Sequence, residues 1–188
     1  MAREAANQTG LIGGVEKRAI AIVDYDPGWP RKFTLHARRV AEVLGPTALC
    51  IEHIGSTSVP GLAAKPIVDM LVVVKDSANE PLYVPQLEAA GYVLRVREPD
   101  WNEHRMFRTP ERDVHIHVYS EGCREIGRNL TFRDRLRQSD DDRRRYELKK
   151  RELAKCDWPD MNAYAEAKTG VIEEIIARAV AAGEVSVA

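Results

Sequence analysis

EHIGSTSVPGLAAKPIVDMLV, residues 52–72, is the stretch that decides the fold. Its opening residues close the run ALCIEHI (48–54), whose branched and apolar content suits a strand. Its end leads into IVDMLVVV (67–74), the most apolar run in the chain, which predicts a strand buried on both faces. Between them lie Gly55, Pro60, Gly61 and Pro66 without any periodicity, which predicts a loop with one helical turn.

Working outward from this strand–loop–strand unit, AIAIVDY (19–25) suits a further strand, and Pro27-Gly28 marks a turn. Trp29, Phe33, Ala37, Val40 and Leu44 recur at three-to-four spacing, predicting a helix to Gly45 with these residues facing the core. On the other side a helix is expected over 85–90, closed by Gly91. YVLRVRE, HRMFRT and VHIHVYS then read as three strands extending the sheet in antiparallel fashion. After Gly122 the composition turns helical, with three segments broken near Ser139 and near Trp158-Pro159. The expectation is an α+β fold in layers: a mixed sheet flanked by helices, with a helical C-terminal region. Residues 18–184 are expected to form a single domain, and 1–17 a flexible leader.

Composition narrows the function classes. Of 188 residues, 44% are hydrophobic and 30% charged, which fits a packed globular chain. The net charge of −1 gives no global field toward nucleic acid or an anionic membrane. Aromatics at 6% are scattered, so no stacking platform for nucleic acid is visible. Cys50, Cys123 and Cys156 match no zinc or redox spacing and read as free thiols of a cytoplasmic protein. Without heptads or a secretory or membrane-spanning pattern, a soluble monomer or weak homodimer is expected.

Four groups of residues carry chemistry. Gly55, Ser56, Thr57 and Ser58 follow a strand and can offer N–H groups and hydroxyls to a phosphate, with Lys65 adding charge. The same loop can equally be a turn that satisfies its own backbone. Asp69 is a carboxylate inside an apolar strand and needs a partner, a metal or solvent. Alternation places Asp113, His115 and His117 on one strand face, where two neutral imidazoles can hold a divalent metal with a further acid, Asp69 or Glu52. Finally Arg133, Arg137 and Lys149 lie in a charge-rich helical region. They either form a solvated face with the interleaved acids or turn inward to grip phosphate.

The central stretch resembles the signature of the GrpB family. So do VDYDPGWPRKF (23–33), HIHV (115–118), FRDRLR (132–137), YELK (146–149) and Tyr164 to Lys168, so that the resemblance spans about residues 20 to 180. It implies a minimal relative of the DNA polymerase β nucleotidyltransferase superfamily, with related domains fused to dephospho-CoA kinase. In that superfamily a Gly-Ser holds nucleotide phosphates, and paired carboxylates hold two metal ions. The resemblance therefore implies a nucleoside triphosphate substrate, Mg2+ or Mn2+, and transfer to a small molecule. Gly55, Ser56, Thr57, Ser58 and Lys65 would cradle phosphate, and Arg133, Arg137 and Lys149 would clamp its distal part. Asp69 and His117 would hold metal, with His115 or His117 as supporting ligand or general base. The sequence departs from the pattern beside Asp69, where the partner carboxylate is replaced by Ile67 or Leu71. A catalytically degenerate nucleotide- or coenzyme-binding module is thus the alternative.

Overall fold

The computed structural model describes residues 10–185. Its frame is a five-stranded mixed sheet of β1 (Cys50–Ile54), β2 (Val68–Val74), β3 (Val93–Glu98), β4 (His104–Arg108) and β5 (Val114–Ser120), in the order β1-β2-β5-β4-β3. Only the central β2–β5 pair is parallel; β1–β2, β5–β4 and β4–β3 are antiparallel. The most apolar run therefore sits mid-sheet, where both faces must be covered.

The period-two rule sorts β2 and β5 between two layers. Met70, Val72 and Val74 join Val114, Ile116 and Val118 on one face, beneath α1 (Trp29–Leu44) and α2 (Val84–Ala89). Trp29, Val40 and Leu44 are buried there, with Phe33 and Ala37 packed at the margin, as the spacing predicts. Each such buried aliphatic side chain contributes about 1.5–3 kcal/mol of burial free energy. On the opposite face Leu71, Val73 and Tyr119 meet Ile126 and Leu130 of α3 (Arg124–Gln138).

The helical C-terminal region continues with α4 (Asp140–Leu153), α5 (Met161–Glu166) and α6 (Thr169–Ala181). It thus holds four helices rather than three. Ser139 breaks the run as expected and caps α4 by accepting from the Asp142 amide. Asp160 caps α5 through the Asn162 and Ala163 amides, and a further break falls at Ala167-Lys168.

One expectation at the N-terminal side needs correction. AIAIVDY is not a sheet strand: it makes one isolated bridge, Val23 to Ala64, and Ala19, Ala21 and Val23 remain exposed. Its apolar residues lie along the loop after β1 rather than in a ladder. Residues 1–9 of the expected leader lie outside the described residues. From Gly10 on the chain is anchored, with Ile12 donating to Arg95 and Arg97 donating to Gly10 through their backbones. Glu16 forms an ion pair with Arg108 at 2.8 Å.

Candidate functional site

The face of β2 and β5 that carries Leu71, Val73 and Tyr119 also carries Asp69, His115 and His117 toward the strand starts, where they line a cavity with residues of α3. Asp69 and His115 are register partners in the parallel pair, and His117 lies opposite Leu71. One carboxylate oxygen, Oδ1 of Asp69, thereby stands 3.4 Å from His115 Nδ1 and 3.7 Å from His117 Nε2. Burial alone would raise the Asp69 pKa. Hydrogen bonding and charge from the two imidazoles outweigh it and hold the carboxyl well below the usual range.

The Gly55-Ser56 turn comes to the same point from β1. Gly55 adopts φ +67°, after which Ser56–Ser58 form a single 3₁₀ turn. A side chain at Gly55 would collide with Asp69, so only glycine permits the loop to pass there. Of the four loop residues expected to cradle phosphate, Gly55 and Ser56 line the cavity and the other two do not. Thr57 shares a hydrogen bond with His53 Nε2 at 3.1 Å, and Ser58 Oγ donates to the Gly55 carbonyl at 2.6 Å. These two satisfy the turn itself.

Three lysines converge on this corner. Lys65 and Lys168 stand 5.1 Å and 4.7 Å from the centroid of the Tyr164 ring. Lys150 donates to Ser56 Oγ at 3.1 Å and to the Ala63 carbonyl. Burial and the neighbouring Lys168 push the Lys150 ammonium down to about 7. Burial and Lys65 push Lys168 down to about 8. Tyr146 is hydrogen-bonded to Ser56, and burial drives its hydroxyl upward. The hydroxyl of Tyr164 is buried without a partner among the described residues. All of these line one cavity of about 480 Å³, which extends across β4 and β3 past Met106, Arg108 and Val96 and is bordered by Val15 and Ile22.

At this corner the three ammonium groups gather about Asp69, whereas Glu16 and Glu125, which also line the cavity, pair with Arg108 and Arg128. Buried cations lacking carboxylate partners are costly, and an anion relieves that cost. The donor set of Asp69, His115 and His117 also fits one divalent ion: their ligand atoms all lie within 4.8 Å of one another.

The other expected residues lie elsewhere. Arg133 binds Glu52 at 2.6 Å, the His53 carbonyl at 3.2 Å and Asp134 at 2.8 Å. Arg137 donates twice to the Ser58 carbonyl, at 3.1 and 2.9 Å. Arg133 grips the end of β1 and Arg137 the loop after it, and neither lines the cavity. Lys149 pairs with Glu152 at 3.0 Å on the outer side of α4. Asp113 turns away from the histidines to Lys32 at 2.6 Å and Thr109 at 2.7 Å. The residues the sequence reading passed over are Lys150 and Tyr146, and helical spacing could have found them: Asp142, Tyr146, Lys150 and Leu153 form the buried stripe of α4. His104 and Glu98, behind His117, had no such signal.

Residues 19–178 match the family model described as GrpB protein. A UPF0157 protein of Halalkalibacterium halodurans is 53% identical over 161 residues, covering 86% of this chain and 83% of that one. The crystal structure of conserved protein GrpB from Enterococcus faecalis superposes with a TM-score of 0.74 at 32% identity, covering 84% of this chain and 98% of that one. Dephospho-CoA kinase of Mycolicibacterium paratuberculosis is a more distant relative. It is 27% identical over 180 residues, covering 82% of this chain and 44% of the kinase.

Proposed function

The chain belongs to the GrpB family, and from that premise we propose that its cavity binds the phosphate groups of a nucleoside triphosphate together with a divalent ion. The protein would thus act as a nucleotidyltransferase-like enzyme on a small molecule. The observation that carries the reading is the convergence of Lys65, Lys150 and Lys168 on the Gly55-Ser56 turn beside Asp69. Each lysine would neutralise phosphate charge in a site of low dielectric, where the attraction is strongest. Ser56 Oγ and the unpartnered Tyr164 hydroxyl would donate to phosphate oxygens. Asp69, His115 and His117 would hold Mg2+ or Mn2+, which when bound supplies Lewis-acid neutralisation of the phosphates.

A second reading is a binding module without transfer chemistry. It is favoured by the lack of a second carboxylate beside Asp69 on its strand: Leu71 is buried in the α3 core, and Ile67 stands on the other side of Asp69. Two-metal transfer needs more anionic ligands than these.

Thermal shift against ATP, GTP, CTP and UTP, each with and without magnesium or manganese, tests the proposal. A bound ligand at hundredfold excess over its Kd stabilises by about 2.7 kcal/mol. The expected result is a shift with at least one triphosphate, and its metal-dependent part vanishing in Asp69→Asn while the fold is kept. No shift with any nucleotide would overturn it. Binding without pyrophosphate release in the presence of acceptor extracts would favour the binding module.

A further inference from the structure

Behind His117 runs a chain of hydrogen bonds away from the cavity. His117 Nδ1 stands 3.0 Å from His104 Nε2, and His104 Nδ1 stands 2.7 Å from Glu98 Oε2. The chain crosses three strands: Glu98 and His104 are partners in the β3–β4 pair, and His117 is on β5. His104 is only 6% exposed. Its ring lies between His117, 5.3 Å away and inclined by 13°, and Tyr119, 4.8 Å away and inclined by 21°. The His104 imidazole lies edge to edge with His117 and stacks on Tyr119, so it has one orientation and both of its nitrogens are spoken for.

Proton placement along the chain follows from donors and acceptors alone. The Glu98 carboxylate accepts, so His104 Nδ1 carries the proton. Neutral His104 then offers a lone pair at Nε2, which accepts from His117 Nδ1–H. In a neutral His117 the remaining nitrogen, Nε2, is therefore bare. That nitrogen stands 3.7 Å from Asp69 Oδ1 and is the one free to ligate an ion beside it. His115 Nδ1 stands 3.4 Å from the same oxygen.

We infer that Asp69, His115 and His117 take a single ion of the nitrogen-preferring transition-metal class, such as zinc or cobalt(II), ahead of magnesium, and that Glu98 and His104 are positioning residues that hold His117 ready to ligate it. The inference rests on the metal half of the proposed function and replaces its magnesium or manganese with a nitrogen-preferring ion. Two imidazoles to one carboxylate is a donor set for borderline metals, whereas magnesium demands oxygen ligands. Carboxylate–imidazole anchors behind a ligating histidine fix its tautomer and raise its basicity.

The test is isothermal titration of the chelator-treated full-length protein with zinc chloride and with magnesium chloride, without nucleotide. One zinc per chain is expected, bound about 100-fold or more tighter than magnesium. His104→Phe keeps the ring stack on Tyr119 and removes the acceptor, and should weaken zinc binding by about 10–100-fold. Glu98→Gln should cost less, because its amide oxygen still accepts from His104. The visible spectrum of the cobalt(II) form should shift in His104→Phe, which a purely structural role would not produce. Magnesium binding as tight as zinc, or unchanged zinc affinity in His104→Phe, would overturn the inference. Should His104→Phe not fold, Glu98→Leu breaks the chain from its more exposed end and is read in the same way. Thermal shift with triphosphate alone separates the two readings. Zinc binding without a nucleotide shift defeats the phosphate reading only, and a nucleotide shift without zinc binding defeats this inference only.

Discussion

A Cβ built on Gly55 would lie 2.6 Å from Oδ2 of Asp69, and Gly55 itself holds φ +67°. Backbone conformation and close approach thus demand glycine at the same position, and they tie the loop's path to the carboxylate on the neighbouring strand. Gly55→Ala is expected to destabilise the fold by about 1–3 kcal/mol in urea denaturation. It should also weaken zinc binding, because the methyl group displaces Asp69. Wild-type stability in this variant would mean that the turn can relax without touching the site.

Lys150→Met should separate stability from function. The ammonium is 2% exposed and held down to about 7, so the folded state carries it at a cost. Replacing it by an apolar chain of similar length is expected to raise the Tm while lowering triphosphate affinity by about tenfold or more. In the wild type, phosphate binding restores the charged form, so complex formation somewhat above pH 7 should take up protons. Calorimetry in buffers of different ionisation enthalpy reads that uptake directly.

Arg133→Ala and Lys149→Ala should leave triphosphate affinity unchanged. Arg133 ties Glu52 and the His53 carbonyl to α3, and its loss should cost about 1–3 kcal/mol of stability. Lys149 sits in an exposed pair, and its loss should stay within about 0.5 kcal/mol. A large affinity loss in either variant would show that phosphate reaches the outer side of the loop.

Stability should fall on mild acidification because of His53. Burial lowers its pKa to about 4; nearby Arg137 and Arg133 add to this, and Asp69 opposes it. The folded state thus refuses a proton that the unfolded chain accepts at its ordinary pKa of about 6.5. The contribution is complete above that value and is lost as pH falls toward the folded one. The loss should reach about 2 kcal/mol near pH 5. Urea denaturation of wild type and His53→Gln across that range checks it: the variant should lack this part of the slope.

How much of this was legible in the chain differs by element. The period-two pattern of 67–74 and 114–120 fixes which side chains share a face, because alternation in a strand is a local property. Asp69, His115 and His117 were therefore within reach of the sequence. The apolar spacing from Trp29 to Leu44 likewise defined its helix. AIAIVDY failed because branched residues indicate an extended chain, whereas a ladder requires a neighbouring edge, and none is offered there beyond Ala64.

Lys150 rather than Lys149 is a matter of which helical stripe faces inward. Periodicity could have shown it, but the density of charge around both lysines hid it. The anchor of Glu98 and His104 behind His117 is of another kind. It depends on β4 lying between β5 and β3, and that strand order is set by the long-range pairing that best buries β2 and β5. Sequence by itself therefore determined the family and the layers, and brought Gly55, Ser56, Lys65, Asp69, His115 and His117 into view. Only the tertiary structure decided which cations meet the carboxylate, because non-local packing brings α4, α5 and the loop after β1 to one corner of the sheet.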